Sequence, residues 1–321
     1  LEKSAKSTPS VLIIVLNWMK YEDTVNCLNS LLKLSYPDFK IMLVDNHSLN
    51  ESVQVLEKTF PDILLVKSSE NNGYAAGNKL GVDYALKNNF DAVWILNNDC
   101  TVRPDSLSAL VESYKRNGNA LYSNLTLMSE NPDVIHYAGT YEIDEVLQPD
   151  RYPTYDKLKG KLLEDHRDLL IEKPARIYGH SMFIPVEVIK KYGFMDTRYF
   201  MFCEETDYTM SLHKLGIASI FVPTAIITHI STSTFKLSDK MKYVGTYYGI
   251  RNTVLFDKKF ARSDYKAVLT RKGGWVGLCK YFVKYYISPA TAKNEEYYAN
   301  LGLLHGLLGV RGKWLNPEAL L

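Results

Sequence analysis

The chain has 321 residues, 46% of them hydrophobic and 23% charged, with 38 Lys and Arg against 36 Asp and Glu for a formal net charge of +2. That balance supports a full core, excludes a disordered or fibrous chain, and gives no whole-protein reason to bind nucleic acid. The four cysteines, Cys27, Cys100, Cys203 and Cys279, show no paired spacing, which argues against a zinc site or disulfide framework and for a reducing cytoplasm.

Residues 1–10 are polar and read as a disordered tail. The apolar run 11–16 reads as a first buried strand, far too short for a membrane span or a signal-peptide core. Asp23-Thr24 reads as the N-cap of a helix carrying Val25, Leu28, Leu31 and Leu32 at helical spacing. Strand 41–44, helix 50–60, strand 63–66 and helix 75–87 repeat the alternation, and strand 92–96 ends in Asn97-Asn98-Asp99. This order predicts a mainly parallel sheet wrapped by helices, with a Rossmann-like nucleotide-binding half over residues 10–127.

The second half is less regular. Residues 133–148 read as short strands, and 149–173 as a charged loop or lid over the acceptor side. Strand 177–184, helix 186–192, helix 205–215 closed by Gly216, and strand 218–230 broken at Pro223 follow. Tyr243, Tyr247, Ile250 and Val254 recur at helical spacing behind them. The predicted division is therefore a catalytic α/β domain over 11–238, split near 127, and a helical extension over 239–321.

That extension is basic: from Lys258 onward 11 Lys and Arg face 4 Asp and Glu, leaving 27 against 32 before it. Its segment with Trp275, Lys280, Tyr281, Phe282, Lys284, Tyr285 and Tyr286, followed by Leu301 to Leu308 interrupted by Gly302 and Gly306, and by Arg311, Lys313 and Trp314, has two readings. One is peripheral contact with the inner, anionic leaflet of a plasma membrane; the other is packing on the core or at a homodimer interface.

Two acidic segments carry the chemistry. Asp99 falls at a strand's carboxyl end, where open α/β sheets hold ligands, and its carboxylate with the neighbouring amides suits Mg2+ or Mn2+. The plain alternative is a turn ahead of Pro104. Glu204-Glu205-Thr206-Asp207 follows the aromatic stretch Tyr199-Phe200-Met201-Phe202. Desolvation and like charge there can raise one carboxyl toward the range of a general base, whereas the plain alternative is an acidic first turn complementing a helix dipole. Asn17 and Asp45 end the first two strands, and Asn72-Gly73-Tyr74-Ala75-Ala76-Gly77-Asn78 offers glycines for close backbone approach at a helix start.

Taken together these segments resemble the inverting glycosyltransferases of family 2 with the GT-A fold, and within them the rhamnosyltransferase-like members. The resemblance spans residues 10–256. It implies a nucleotide-sugar site at Asn17, Asp45, Gly73, Asn78, Asn97 and Asn98, with Asn97 where the family carries an Asp. It implies a divalent cation at Asp99 and His229, and an acceptor or sugar pocket at His180, Phe202 and Glu204. Glu205 takes the register of the family's catalytic base, with Asp207 second. Tyr247-Tyr248-Gly249-Ile250-Arg251-Asn252 matches a motif behind the core of these members, and Arg251 either reaches the donor phosphates or pairs with a core acid. The implied reaction transfers a sugar, L-rhamnose from dTDP-L-rhamnose before UDP-linked glucose, galactose, N-acetylhexosamine or galactofuranose, to a saccharide or lipid-linked saccharide of a cell-surface polysaccharide. Two rivals are a nucleotidyltransferase, disfavoured by Asn17-Trp18-Met19-Lys20-Tyr21 after the first strand, and a binding subunit without turnover.

Overall fold

The central strand β1 (Val11–Asn17) is apolar on both faces, and Val11, Leu12, Ile13, Ile14 and Val15 are all fully buried. Burying a side chain of this size contributes about 1.5–3 kcal/mol. Val11, Ile13 and Val15 point into one core layer and Leu12 and Ile14 into the other, so helices must cover both sides of the sheet. The computed structural model describes residues 8–139, 158–174, 177–230, 238, 240–287 and 294–320, those at 173–174, 284–287 and 320 by backbone alone.

β1 pairs in parallel with β2 (Phe39–Asp45) and β4 (Ala92–Asn97), and β2 with β3 (Leu64–Lys67). Helices α1 (Tyr21–Leu31), α2 (Ser52–Thr59) and α3 (Tyr74–Lys87) make the crossovers. β5 (Cys100–Val102), β6 (Leu121–Met128), β9 (Ser181–Pro185) and β10 (Ser219–His229) complete the sheet in the order β3-β2-β1-β4-β9-β6-β10-β5. β7 (Ile135–Tyr137) lies beside β6 and β8 (Lys173–Pro174) beside β10. β9 runs antiparallel between β4 and β6, which gives a mixed but mostly parallel sheet.

Helices α4 (Ser106–Asn117), α5 (Val186–Tyr192) and α6 (Glu204–His213) complete the layers. Behind the sheet stand α7 (Met241–Lys259), α8 (Asp264–Arg271), α9 (Gly274–Ile287) and α10 (Glu295–Leu308). α10 packs closely on α7 at its two glycines. A Cβ on Gly302 would meet the Tyr247 carbonyl oxygen at 2.6 Å, and one on Gly306 would meet the Val254 Cβ at 2.6 Å. The glycines that break the apolar run are therefore its contact surface.

Four expectations change. Helix α1 starts at Tyr21, so Asp23 and Thr24 lie in its first turn rather than at the cap, and the Thr24 hydroxyl turns back toward Asn17. β5 was not foreseen, because three residues carry too little periodicity to register. Of the expected lid, the described part from Leu158 docks on the sheet: Ile135 N donates to the Lys161 carbonyl at 2.9 Å, and Leu163 is buried beside Tyr137 and Phe221. Residues 140–157 of the expected strands and lid lie outside the described residues. Pro9 and Ser10 belong to the fold rather than to a tail, since Tyr36 Oη donates to the Pro9 carbonyl at 2.6 Å and Ser10 Oγ to Asp91 at 2.9 Å.

Candidate active site

The carboxyl ends of β1, β2 and β4 hold a closed polar ring. Asn17 Nδ2 donates to Asp45 Oδ2 at 2.7 Å, and the Ser48 hydroxyl and amide donate to the two Asp45 oxygens at 2.7 and 2.8 Å. Thr24 Oγ1 donates to Asn17 Oδ1 at 2.7 Å, and Asn98 Nδ2 donates to Thr24 Oγ1 at 2.9 Å and to the Lys20 carbonyl at 3.2 Å. Asn17 and Asp45 are buried and pinned from several sides. A site so fixed meets a ligand without reorganising.

A second polar pair sets the glycine loop. Asn46 Nδ2 donates to Asn71 Oδ1 at 2.9 Å, and the same oxygen accepts the Gly73 amide at 3.0 Å. Gly73 has φ +86° and ψ −177°, a combination essentially confined to glycine. A Cβ there would lie 2.0 Å from the Phe200 carbonyl oxygen, which accepts the Tyr74 amide. Gly73→Ala is therefore expected to cost about 3 kcal/mol or more and to weaken nucleotide binding, checked by thermal melting and by calorimetric titration with nucleoside diphosphate. Asn78 sits one turn into α3 rather than at its start; its Nδ2 donates to the Tyr74 carbonyl at 3.0 Å, and its buried Oδ1 makes no hydrogen bond.

Asp99 lies in the two-residue turn between β4 and β5, and His229 ends β10 on the strand that pairs with β5. Their side chains meet: His229 Nε2 lies 3.1 Å from Asp99 Oδ1, both nearly buried. With the Cys100 thiol they form a cluster of potential metal-ligating atoms within 4.8 Å of one another. Cys100 belongs to the apolar core with its thiol 3.8 Å from the His180 carbonyl, and a soft sulfur is a poor partner for Mg2+ or Mn2+. The donors left are one carboxylate and one imidazole, a hard oxygen and a borderline nitrogen. This set fits a divalent cation whose remaining positions go to diphosphate and water. The buried Nδ1 of His229 forms no hydrogen bond.

Two further imidazoles wall this pair. His180 stacks on His229 with centroids 4.7 Å apart and Nε2 2.7 Å from Thr126 Oγ1, and His136 stands edge-on to His229 at 5.3 Å. Burial, then His229, lowers His136 to about 4 and lowers His180 well below its usual range, so both rings are neutral near pH 7. His180 thus backs His229. His136, on β7, was missed because nothing in residues 133–139 marks it.

The second acidic segment opens α6 after a strained loop. Phe200, Phe202 and Cys203 have φ of 69°, 67° and 68°, the left-handed region that L-residues avoid. Glu204 is buried, with Oε2 making no hydrogen bond, and burial followed by its neighbour Glu205 pushes its carboxyl well above the usual range. The raised acid is thus the buried Glu204. Glu205 is the more open of the two and faces Gly179, where an added Cβ would lie 3.2 Å from its Cγ. Asp207 points elsewhere: it is 2% exposed, and its Oδ1 accepts from Lys259 Nζ and, at 3.0 Å, from Ser211 Oγ.

Tyr74 joins the two halves. Its hydroxyl donates to the Gly179 carbonyl, and it is raised by burial first and then by Glu204, Glu205, Cys100 and Asp99. Acids far apart in the chain therefore lie within electrostatic reach of one phenol. Phe202, 37% exposed, flanks the same loop.

Arg251 is a correction. It is fully buried, with Nε donating to Asn252 Oδ1 at 2.8 Å and its terminal nitrogens to the carbonyls of Gly312 and Tyr199 at 2.7 Å each. The guanidinium also lies over the rings of Tyr248 and Tyr247. Its donors serve the loop ahead of α6 rather than donor phosphates, and the neighbours it holds are neutral carbonyls rather than a core acid.

The sequence profile of glycosyl transferase family 2 matches residues 10–174, and the chain belongs to that family. It is 24% identical over 314 residues, 94% of this chain and 92% of the other, to the low-salt glycan biosynthesis hexosyltransferase Agl10 of Haloferax volcanii. It is 22% identical over 203 residues, 59% of this chain and 66% of the other, to the N-acetylglucosaminyl-diphospho-decaprenol L-rhamnosyltransferase of Mycobacterium tuberculosis. Among solved structures it is similar to the mannosyltransferase PcManGT of Pyrobaculum calidifontis in complex with GDP-Man and Mn2+, with TM-score 0.55 and 12% identity over 94% of this chain and 87% of that one. It is also similar to GalNAc-T7 with UDP, GalNAc and Mn2+, with TM-score 0.54 and 14% identity over 70% of this chain and 44% of that one. The fold is GT-A-like with helices at the C-terminus, and the protein is a glycosyltransferase.

Proposed function

We propose that this glycosyltransferase inverts the anomeric centre, depends on a divalent cation, and moves L-rhamnose from dTDP-L-rhamnose to a hydroxyl of a lipid-linked saccharide. The observation that carries the reading is the segment Gly179-His180, which packs against Glu205 on one side and, through His180 stacked on His229 at 4.7 Å, against the Asp99–His229 pair, whose closest atoms are 3.1 Å apart. The rhamnosyl donor and the lipid-linked acceptor are supported by the activity for which the mycobacterial relative is named, and a hexose donor by that of the haloarchaeal one.

In this mechanism Glu205 accepts the proton of the acceptor hydroxyl as its oxygen attacks the anomeric carbon, and the bond from that carbon to the diphosphate oxygen breaks on the opposite face. Asn17, Asp45 and Asn98 hold base and ribose in a ring whose own hydrogen bonds are already made. Gly73 lets the loop ahead of α3 pack on the Phe200 backbone beside this ring, and Phe202 shields the reacting atoms from water. Asp99 and His229 would hold the cation, which when bound supplies positive charge to the departing diphosphate.

The test is release of nucleoside diphosphate from dTDP-rhamnose, UDP-glucose, UDP-galactose, UDP-N-acetylhexosamines and UDP-galactofuranose, each with Mn2+, Mg2+ or EDTA. Turnover of dTDP-rhamnose with metal, abolished by EDTA, is expected; turnover of a UDP-sugar alone would replace the donor, and turnover in EDTA would remove the metal. Asp99→Asn and His229→Ala are each expected to raise the metal concentration for half-maximal rate by about 10- to 100-fold, as loss of a ligand or its support does elsewhere.

A further inference from the structure

Helix α9 is apolar on two sides and packed on only one. Leu278 is buried, and Phe282 joins it against Val254 of α7 and Leu303 of α10. Val276, Cys279, Lys280 and Val283 share the opposite face, with Trp275 on its flank, and all are exposed. Val276 is 65%, Val283 57% and Trp275 47% exposed, and Val268 on the preceding α8 is 42% exposed. Single exposed apolar residues are ordinary, but a row along one helix face needs an occupant.

Charge indicates which. Residues 264–287 carry Lys266, Arg271, Lys272, Lys280 and Lys284 against one acid, Asp264. Asp264 is paired with Arg262 at 2.5 Å, and Lys272 lies 3.6 Å from Glu296. Arg271 and Lys272 precede Trp275 and Val276 at the turn between α8 and α9, so cations and apolar side chains sit side by side. No helix among the described residues is long and apolar enough to cross a membrane. Tyr281 and Phe282, on the packed side of α9, share an apolar cluster with Trp18, just past β1, and with Met201 in the loop ahead of α6. The exposed face therefore belongs to a helix anchored beside the candidate active site.

We propose that the exposed face of α8 and α9 docks on an anionic lipid surface, with Trp275, Val276 and Val283 entering the headgroup boundary and Arg271, Lys272 and Lys280 against the lipid phosphates. The inference stands on residues separate from the transferase site and does not need its donor assignment. The experiment is sedimentation of the full chain with vesicles of phosphatidylcholine alone and of phosphatidylcholine with phosphatidylglycerol. Binding only to the anionic vesicles, weakened by salt, is expected. Arg271→Glu/Lys272→Glu/Lys280→Glu is expected to weaken it about 100-fold or more, from the typical contribution of a basic residue at such a surface. Trp275→Ser/Val276→Ser is expected to weaken it about tenfold. These exposed substitutions leave the fold intact, checked by melting, and leave nucleotide binding unchanged. Absence of binding to the anionic vesicles, or equal binding by the triple variant, would overturn the proposal. So would a chain that ignores vesicles and forms a dimer broken by Val276→Glu, which would give the face to a second copy.

Discussion

Glu205→Gln is expected to lower kcat for sugar transfer by about 10²- to 10⁴-fold, the usual contribution of a positioned general base, while donor affinity stays within a few-fold. The substitution keeps the shape that packs against Gly179 and removes only the ability to accept a proton. Asp207→Asn is the contrasting variant. Its carboxylate is held by Lys259 and Ser211 on another side of α6, so the loss is one ion pair whose lysine is 42% exposed. Because the carboxylate is buried, losing its charge-assisted bond is expected to cost about 1.5–3 kcal/mol. A drop in melting temperature with kcat nearly unchanged is expected. The opposite ranking, with Asp207→Asn inactive and Glu205→Gln active, would reassign the base.

Glu204 explains why the base register is hard to read from sequence alone. Two adjacent glutamates look equivalent in a string of letters. The fold separates them by turning Glu204 into the interior, where burial pushes its carboxyl well above the usual range, and Glu205 toward Gly179. Asp99 was legible for the opposite reason. A buried parallel strand must be apolar throughout, so the first polar residues after the run 92–96 mark the sheet edge where ligands bind. Asn17 and Asp45 follow the same rule on β1 and β2, and the structure links them at 2.7 Å.

What the sequence hides is made by contacts between distant segments. Thr24 resembles a helix cap, a local role, but its hydroxyl is recruited by Asn17 across the β1–α1 turn. Asn46 and Asn71 shape the glycine loop through one shared oxygen, and neither stands in a motif that would have singled it out. His136 approaches His229 only because β7 lies beside β6, which also pairs with β10. Arg251 and Asn252 were visible as a motif, yet their task was not, because a cation in sequence suggests a phosphate or an acid as partner. Here its partners are backbone carbonyls and tyrosine rings.

Arg251→Met is expected to destabilise the fold by about 3–5 kcal/mol and to abolish transfer in whatever fraction stays folded. The guanidinium joins three segments: the loop at Tyr199, the C-terminal turn at Gly312, and α7 itself through Asn252. Lysine cannot restore this, since a single ammonium lacks the planar fork that spans two carbonyls and stacks on Tyr248. Asn252→Ala is the more telling variant because it leaves the cation in place. Asn252 Nδ2 donates to the carbonyls of Tyr199, Met201 and Phe202 at 2.9, 2.5 and 3.1 Å, the residues around the left-handed Phe200 and Phe202. Each left-handed residue stores about 1–3 kcal/mol that surrounding bonds must hold. Without Asn252 the loop is free to relax, and Glu205, two residues beyond Cys203, moves with it. The expected result is a fall in kcat of about tenfold or more, with donor affinity on β1, β2 and β4 within a few-fold of wild type. A merely structural asparagine would lower melting temperature and leave the kcat of the folded protein unchanged, so steady-state kinetics below the melting transition decides whether this motif behind the core positions the catalytic helix.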